Sequence, residues 1–365
     1  MLNETVSETF ETAFYDLPGQ LLSKIYFFHD VRVTCRTNHP WVLATLDKML
    51  GFFPEPAQLQ GDITYFIVSY ESDTFFPVQL PLSRVRTDTI RLQTNTILKY
   101  YRDTDGTIEY QKYMALPPVN GTTLSVISRS QNILLTQLEM PEKYQASFLR
   151  RYVFLLALGQ AVGRYGFEPC HAAAITTPWD SQQGALLIGA SGSGKTTLAL
   201  GCVSRGWGLL GDDLIMLRQH TACEPISAYT ITHEVSVRPD SLELWHTLAF
   251  LRDYPLDSRD KRYCSVEQVR AGAVRMHTVI RLLLFPSLNT ETMSRATRLS
   301  KAHTLQALVD QCLGKWQERS QAQEKLFLML SRLAEQAPGY QLAIARSSLD
   351  GPQLISSLLA GDTYG

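Results

Sequence analysis

Residues 184–202 read GALLIGASGSGKTTLALGC. Ala185 to Ile188 form a short apolar run of strand length, Gly189 to Gly194 supply a flexible turn, and Lys195-Thr196-Thr197 opens a helix continued by Leu198 and Leu200. This is G-x-x-x-x-G-K-[ST] between a strand and a helix, the context that gives the pattern meaning. Backbone N–H groups around Ser191 to Lys195 can point inward at a β-phosphate, reinforced by the positive end of the new helix. Side chains at Gly192 or Gly194 would crowd that approach. Lys195 brings charge between β- and γ-phosphates, and Thr196 offers a hydroxyl to Mg²⁺. The expected ATP-binding set is Gly189, Ala190, Ser191, Gly192, Ser193 and Gly194 with Lys195, Thr196 and Thr197. Thr197 is expected to pack or hydrogen-bond rather than to be a second metal ligand. The competing reading is a glycine-rich turn that merely contains Lys-Thr; the flanking strand and helix weigh against it.

Seventeen positions after Lys195 comes Asp212, followed directly by Asp213, in WGLLGDDLIML. Gly206 ends the helix and Gly208–Leu210 gives a short strand, so the aspartates fall at its carboxyl end, where ligands gather in parallel α/β sheets. One carboxylate can hold hydrated Mg²⁺ while the other accepts a hydroxyl proton. The residues alone do not say which does which, and Asp is also a common turn residue.

The rest of the chain sets the frame. Its 365 residues are enough for one large domain or two ordinary ones. A composition 45% hydrophobic and 19% charged, with net charge −1, suits a folded protein and shows no basic excess for nucleic acid. Six scattered cysteines without a C-x-x-C pair read as reduced thiols in a cytoplasmic protein. The first residues lack the basic and apolar regions of a secretory signal. The apolar run from Tyr152 to Val162 is too short to span a membrane.

Asn38-His39-Pro40 suggests a helix start, with Gly51 as its stop. Alternation over 63–70 gives a strand, Asp105-Gly106 marks a hairpin, and β-like runs at 122–127 and 133–138 follow. A helix is expected from Pro141 to about Gly166. Beyond residue 168 the texture is alternating β and α, with helices near 304–313, 321–333 and 352–359 and a strand over 340–345. A softly bounded division into 1–140 and 141–365 results.

His171, in CHAAAI ahead of the glycine-rich turn, reads either as a partly buried imidazole or as a group that orients a carboxylate. His171, GASGSGKT at 189–196 and Asp212-Asp213, in this order and with this lysine-to-aspartate spacing, resemble the HPr kinase/phosphorylase superfamily, in its HPr-kinase-related branch. The resemblance covers roughly 145–360, including PGYQLAIAR, and is loose over 1–140. It implies an α/β P-loop kinase core of the HPr kinase/phosphoenolpyruvate carboxykinase type behind a mixed α+β amino-terminal module. It also implies ATP and Mg²⁺ as cofactors, catalytic Lys195, Asp212 as general base assisted by His171, and Asp213 at the metal side.

Two departures stand out: a longer TTPWDSQQ hairpin, and loss of the Glu-x-Arg-Gly-Leu-Gly-Ile stretch, replaced by HEVSVR. In that replacement Glu234 fits an acidic metal-side role and Arg238 a catalytic contact to phosphate or acceptor, unless the two are incidental on an exposed strand. DYPLDSRDKRYC resembles a loop that covers nucleotide in related kinases, with Arg259, Lys261 and Arg262 as its cations, or else a solvated basic loop. Trp179 and Trp207 read as packing residues or as an adenine-side surface.

The expected function is transfer of phosphate from ATP to a hydroxyl on a protein serine or small molecule, the alternative being a P-loop ATPase or nucleotide switch without acceptor. The expected partners are nucleotide and that acceptor, and a homo-oligomer, with a dimer as the smallest symmetric choice.

Overall fold

The computed structural model describes residues 21–69, 86–93, 96–102, 108–115, 121–128, 133–139, 149, 155–256, 261–289, 293–312, 321–345 and 350–360. It divides into two compact units, 1–165 and 166–365. Both mix sheet with helix.

In the first unit, β1 (Leu22–Phe28), β2 (Val31–Thr37), β3 (Gly61–Ser69), β4 (Arg86–Gln93), β5 (Thr96–Arg102), β6 (Ile108–Ala115), β7 (Gly121–Ser128) and β8 (Ile133–Glu139) form one sheet ordered β1-β2-β3-β8-β7-β6-β5-β4. β2–β3 and β3–β8 are parallel. Helix α1 (Pro40–Leu50) makes the crossover from β2 to β3, burying Val42, Leu46, Met49 and Leu50. Pro40 takes the first turn, where its missing N–H costs nothing. The N-cap position is His39 and no side chain closes it, so the capping expected around Asn38 is replaced by proline geometry.

β5 and β6 pair antiparallel out to Arg102 and Glu109; the Asp105-Gly106 turn lies outside the described residues. So does most of the first half of the helix expected over 141–166. Its described part is α2 (Leu155–Val162) and a 3₁₀ turn at Gly163–Tyr165. Tyr165 closes the unit. Its hydroxyl receives the Asp62 N–H (3.2 Å) and donates to the Asp62 carbonyl (2.9 Å), and its ring fills the space a side chain at Gly61 would need.

The second unit opens with β9 (Glu168–Cys170), β10 (Ala172–Thr176) and β11 (Gln183–Ile188), then α3 (Lys195–Ser204), β12 (Gly208–Gly211), β13 (Ile215–Arg218), β14 (Ser227–Tyr229) and β15 (Glu234–Val237). There follow α4 (Pro239–Leu244), β16 (Arg262–Ser265), α5 (Val266–Val269), β17 (His277–Asn289), β18 (Arg295–Arg298), α6 (Lys301–Cys312), α7 (Gln321–Gln336), β19 (Gly339–Ala345) and α8 (Gly351–Ala360). The main sheet runs β12-β10-β11-β17-β14-β13-β9, with β19 also on β17 and β18 on β19.

The expected parallel alternation needs amending. β11–β17 and β17–β19 are parallel, but β10 is antiparallel to both β11 and β12. The cause is local: Thr177 and Asp180 exchange hydrogen bonds of 2.8 and 2.9 Å and turn the chain straight back, so no helix intervenes. The sheet is covered on both faces, which is why its strands read as apolar runs rather than alternating ones. Ala173, Ile175, Ala185 and Leu187 face a core with Leu198, Val203, Trp245 and Ile355, from the α3, α4 and α8 side. Ala172, Ala174, Leu186 and Ile188 face Leu308, Leu330 and Leu333 of α6 and α7.

One consequence decides the site. Because β11 and β12 both run against β10, their carboxyl ends flank its beginning. The loop after Ile188, the residue before Ala172 and the turn after Gly211 therefore meet at one sheet edge.

Candidate active site

The turn from β11 to α3 is built on two glycines in left-handed backbone, Gly192 (φ 87°) and Gly194 (φ 98°), a region that L side chains avoid. Any side chain at Gly194 would also press on Leu288 Cδ2 at 3.0 Å. Lys195 is buried inside the turn, its ammonium donating to the carbonyls of Gly189 (2.6 Å) and Ala190 (3.1 Å). Ser193 N–H bonds Ala190 O at 3.2 Å, while Ser193 Oγ is buried with no hydrogen-bond partner among the described residues. A buried hydroxyl in that position suits an oxygen-rich ligand.

Thr196 Oγ1 donates to both oxygens of Asp212, at 3.0 and 2.8 Å. Thr197 turns the other way. Its hydroxyl meets Ser241 Oγ at 2.9 Å and its carbonyl accepts from Trp245 Nε1 at 3.1 Å, so it joins α3 to α4.

Asp212 and Asp213 do turn the chain between β12 and β13, and Asp213 does so in left-handed conformation at φ 69°. They also sit in opposed environments. Burial, then the neighbouring Asp213 charge, raises the Asp212 carboxyl to about 7 against the pull of Thr196, Lys261 and Lys195. For Asp213 burial acts upward too, but Lys261, His171 and Lys195 outweigh it and hold the group below the usual carboxylate range.

His171 Nδ1 lies 2.6 Å from the Asp213 backbone carbonyl. A carbonyl only accepts, so Nδ1 carries a proton and donates it to Asp213. The imidazole thus fastens the turn that carries both aspartates, through Asp213 rather than through the Asp212 carboxylate that the sequence reading pairs with it.

β15 brings a third contribution. Ser236 Oγ donates to Asp213 Oδ2 at 3.3 Å, and Lys261 Nζ reaches the same oxygen at 3.3 Å and Ser236 Oγ at 3.0 Å. Glu234 is half-buried two positions before Ser236, on the strand face that Ser236 turns toward Asp213. Arg238 is exposed at the N-cap of α4, and the charges acting on the aspartate pair come from Lys195, Lys261 and His171. Arg262 bonds the carbonyls of Tyr254 and Arg252, away from the pair, and Arg259 lies outside the described residues. Trp179 and Trp207 stack edge-on at 5.8 Å beside the β10–β11 hairpin, at the opposite sheet edge from the glycine-rich turn, which removes the adenine-side reading.

Ser236 escaped the sequence reading, although its period-2 relation to Glu234 was visible. Lys261 was grouped with two neighbouring cations that nothing in the sequence separates from it. Magnesium fits the donors present: a hydroxyl and carboxylates are hard oxygen ligands. Among the described residues no cluster of three or more His, Cys, Asp or Glu forms a complete cage. A cation shared with substrate phosphates requires only one or two carboxylates.

No family model matches the chain, and no curated protein matches it. Among solved structures it is similar to the Hpr(Ser) kinase/phosphatase from Coxiella burnetii, with 15% identity and a TM-score of 0.31 over 53% of this chain and 89% of that one. This is a distant structural relationship.

Proposed function

We propose that the unit 166–365 binds Mg·ATP on the 189–197 turn and transfers the γ-phosphoryl group to a hydroxyl acceptor. The observation that carries this reading is the bifurcated hydrogen bond from Thr196, at the start of α3, to the two oxygens of Asp212, at the end of β12. It brings the hydroxyl expected to reach magnesium and a carboxylate from the end of β12 to one point beside the glycine-rich turn, where metal and base can act on the same phosphoryl group.

The roles follow from chemistry. Lys195 and the N–H groups at the head of α3 hold the phosphates. Asp212, with its proton affinity raised toward neutrality, takes the acceptor's proton, since a base works best when its pKa lies near the operating pH. Asp213 stays ionised and, with Thr196 and Glu234, would hold magnesium, which when bound neutralises charge on the β- and γ-phosphates. Two adjacent carboxylates pushed apart in proton affinity is the pattern that divides such labour. His171 fixes the turn that presents them. Arg238 is proposed to approach acceptor or phosphate only from the exposed rim.

The test is a mass-spectrometric search of heat-treated cell extract incubated with the protein and γ-labelled Mg·ATP. Label on a serine or other hydroxyl supports the reading. Free phosphate alone supports an acceptor-independent ATPase, and label confined to nitrogen or carboxylate groups overturns the hydroxyl assignment.

A further inference from the structure

The cluster around Asp213 contains more than nucleotide binding requires. Lys261 is only 9% exposed, rare for a lysine, and its ammonium is held by Asp213 Oδ2 and Ser236 Oγ. Ser236 donates on to the same Asp213 oxygen, so the three groups close a ring. Two of its members come from a two-stranded ribbon: β15 pairs antiparallel with β16 from Glu234↔Ser265 to Val237↔Arg262, so Lys261, one residue before β16, falls diagonal to Ser236, which its ammonium reaches at 3.0 Å. The third member leaves a turn whose left-handed backbone, φ 69°, does not by itself fix the side chain's direction.

We propose that Lys261 is a positioning residue for phosphoryl transfer: through Asp213 Oδ2 and Ser236 it aims the Asp213 carboxylate at the glycine-rich turn, so the ribbon must be seated before the site is competent. The inference rests on the phosphotransferase reading above and goes beyond it by naming what assembles the site. Lys195 and His171 approach Asp213 from α3 and from the start of β10, and Lys261 approaches from the ribbon side. Losing it leaves Asp213 Oδ2 with the Ser236 hydroxyl but without the ammonium that holds both Ser236 and the carboxylate. A misplacement of about 1 Å at a reacting centre costs about 100-fold in rate.

The experiment measures loss of γ-phosphate from Mg·ATP in heat-treated cell extract, as kcat and as KM for ATP, alongside the melting temperature, for wild type, Lys261→Met, Lys261→Arg and Ser236→Ala. Methionine keeps the apolar stem and removes the charge. Expected is a kcat lowered about 30- to 100-fold in Lys261→Met with KM changed by less than about 3-fold, at least half of the logarithmic loss restored in Lys261→Arg, and a fall of about 5-fold in Ser236→Ala. An unchanged kcat in Lys261→Met overturns the inference. So does a loss confined to KM, which makes Lys261 a direct phosphate ligand, and so does an arginine variant as slow as the methionine one. If Lys261→Met does not fold, Ser236→Ala decides, and wild-type kcat there overturns the proposal. Wild-type protein that consumes no ATP overturns the phosphotransferase reading and this inference together.

Discussion

The Thr196 hydroxyl shares its proton between both oxygens of the Asp212 carboxylate, at 3.0 and 2.8 Å, and ties the first turn of α3 to the end of β12. Asparagine at 212 keeps an oxygen for the threonine and loses the proton acceptor. Asp212→Asn is therefore expected to bind ATP within about 5-fold of wild type while transfer falls about 1000-fold, the middle of the range for removing a general base. Calorimetry and label transfer, run on the same sample, check it.

The same carboxyl makes the ligand-free fold pH-sensitive. Its folded value, about 7, lies above its ordinary 3.8, so in the interval between them the folded chain holds a proton the unfolded chain has lost. The stabilisation is complete below about pH 4 and disappears as pH climbs through 7. Without nucleotide or metal, the melting temperature of wild type relative to Asp212→Asn is expected to decline from pH 5 to pH 8. At pH 8 Asp212→Asn is expected to be the more stable of the two. Parallel melting curves across that range contradict the raised proton affinity.

Lys195 faces inward on the carbonyls of Gly189 and Ala190. Lys195→Ala removes the charge proposed to meet phosphate from a turn whose shape is set by glycines, so the fold is expected to survive and productive Mg·ATP use to be largely lost. A folded variant with unchanged affinity and turnover would falsify the phosphate-site assignment.

Gly192 and Gly194 share a left-handed backbone but not their surroundings: a side chain at 192 meets nothing within 4 Å, whereas one at 194 meets Leu288 at 3.0 Å. Gly192→Ala is expected to cost about 1 kcal/mol, the backbone term alone. Gly194→Ala is expected to cost more, with part of the excess recovered by Leu288→Ala. Denaturant melts of the three variants separate the terms, and equal costs at both glycines would contradict the packing at 194.

Asp213 is an L residue at φ 69°. Asp213→Gly is expected to abolish transfer yet recover part of the stability that Asp213→Ala loses, by about 1 kcal/mol, because glycine tolerates the left-handed backbone without strain. Matching melting temperatures for the two variants would show that the turn is unstrained.

Much of the second unit was legible in order along the chain. The strand before Gly189, the helix from Lys195, the strand before Asp212 and the terminal helices depend on local period and on glycine, and local signals survive in one dimension. In the amino-terminal sheet the alternation and the hairpin signal marked β3 and β5 to β8, whereas β1, β2 and β4 were not read as strands; the strand order was not legible, because β3 pairs in parallel with strands far away in sequence. Ser236 and Lys261 were hidden for the same reason: a serine in a strand and a lysine in a basic loop acquire meaning only when β15 and β16 pair.

Residue types and spacing along the chain were enough to single out the candidate groups: a glycine-rich turn opening a helix with Lys195 and Thr196, two adjacent carboxylates seventeen positions on, and a histidine ahead of both. Tertiary structure decided which of them touch. The reversed direction of β10 sets His171 between the ends of β11 and β12, the left-handed turn at Asp213 presents its carbonyl to that imidazole, and the β15–β16 ribbon delivers Lys261 to its outer oxygen. Residue identity fixes what a side chain can donate or accept. Distances of about 3 Å between groups that lie 16 to 48 positions apart are set only when the sheet closes and burial makes each unpaired charge costly.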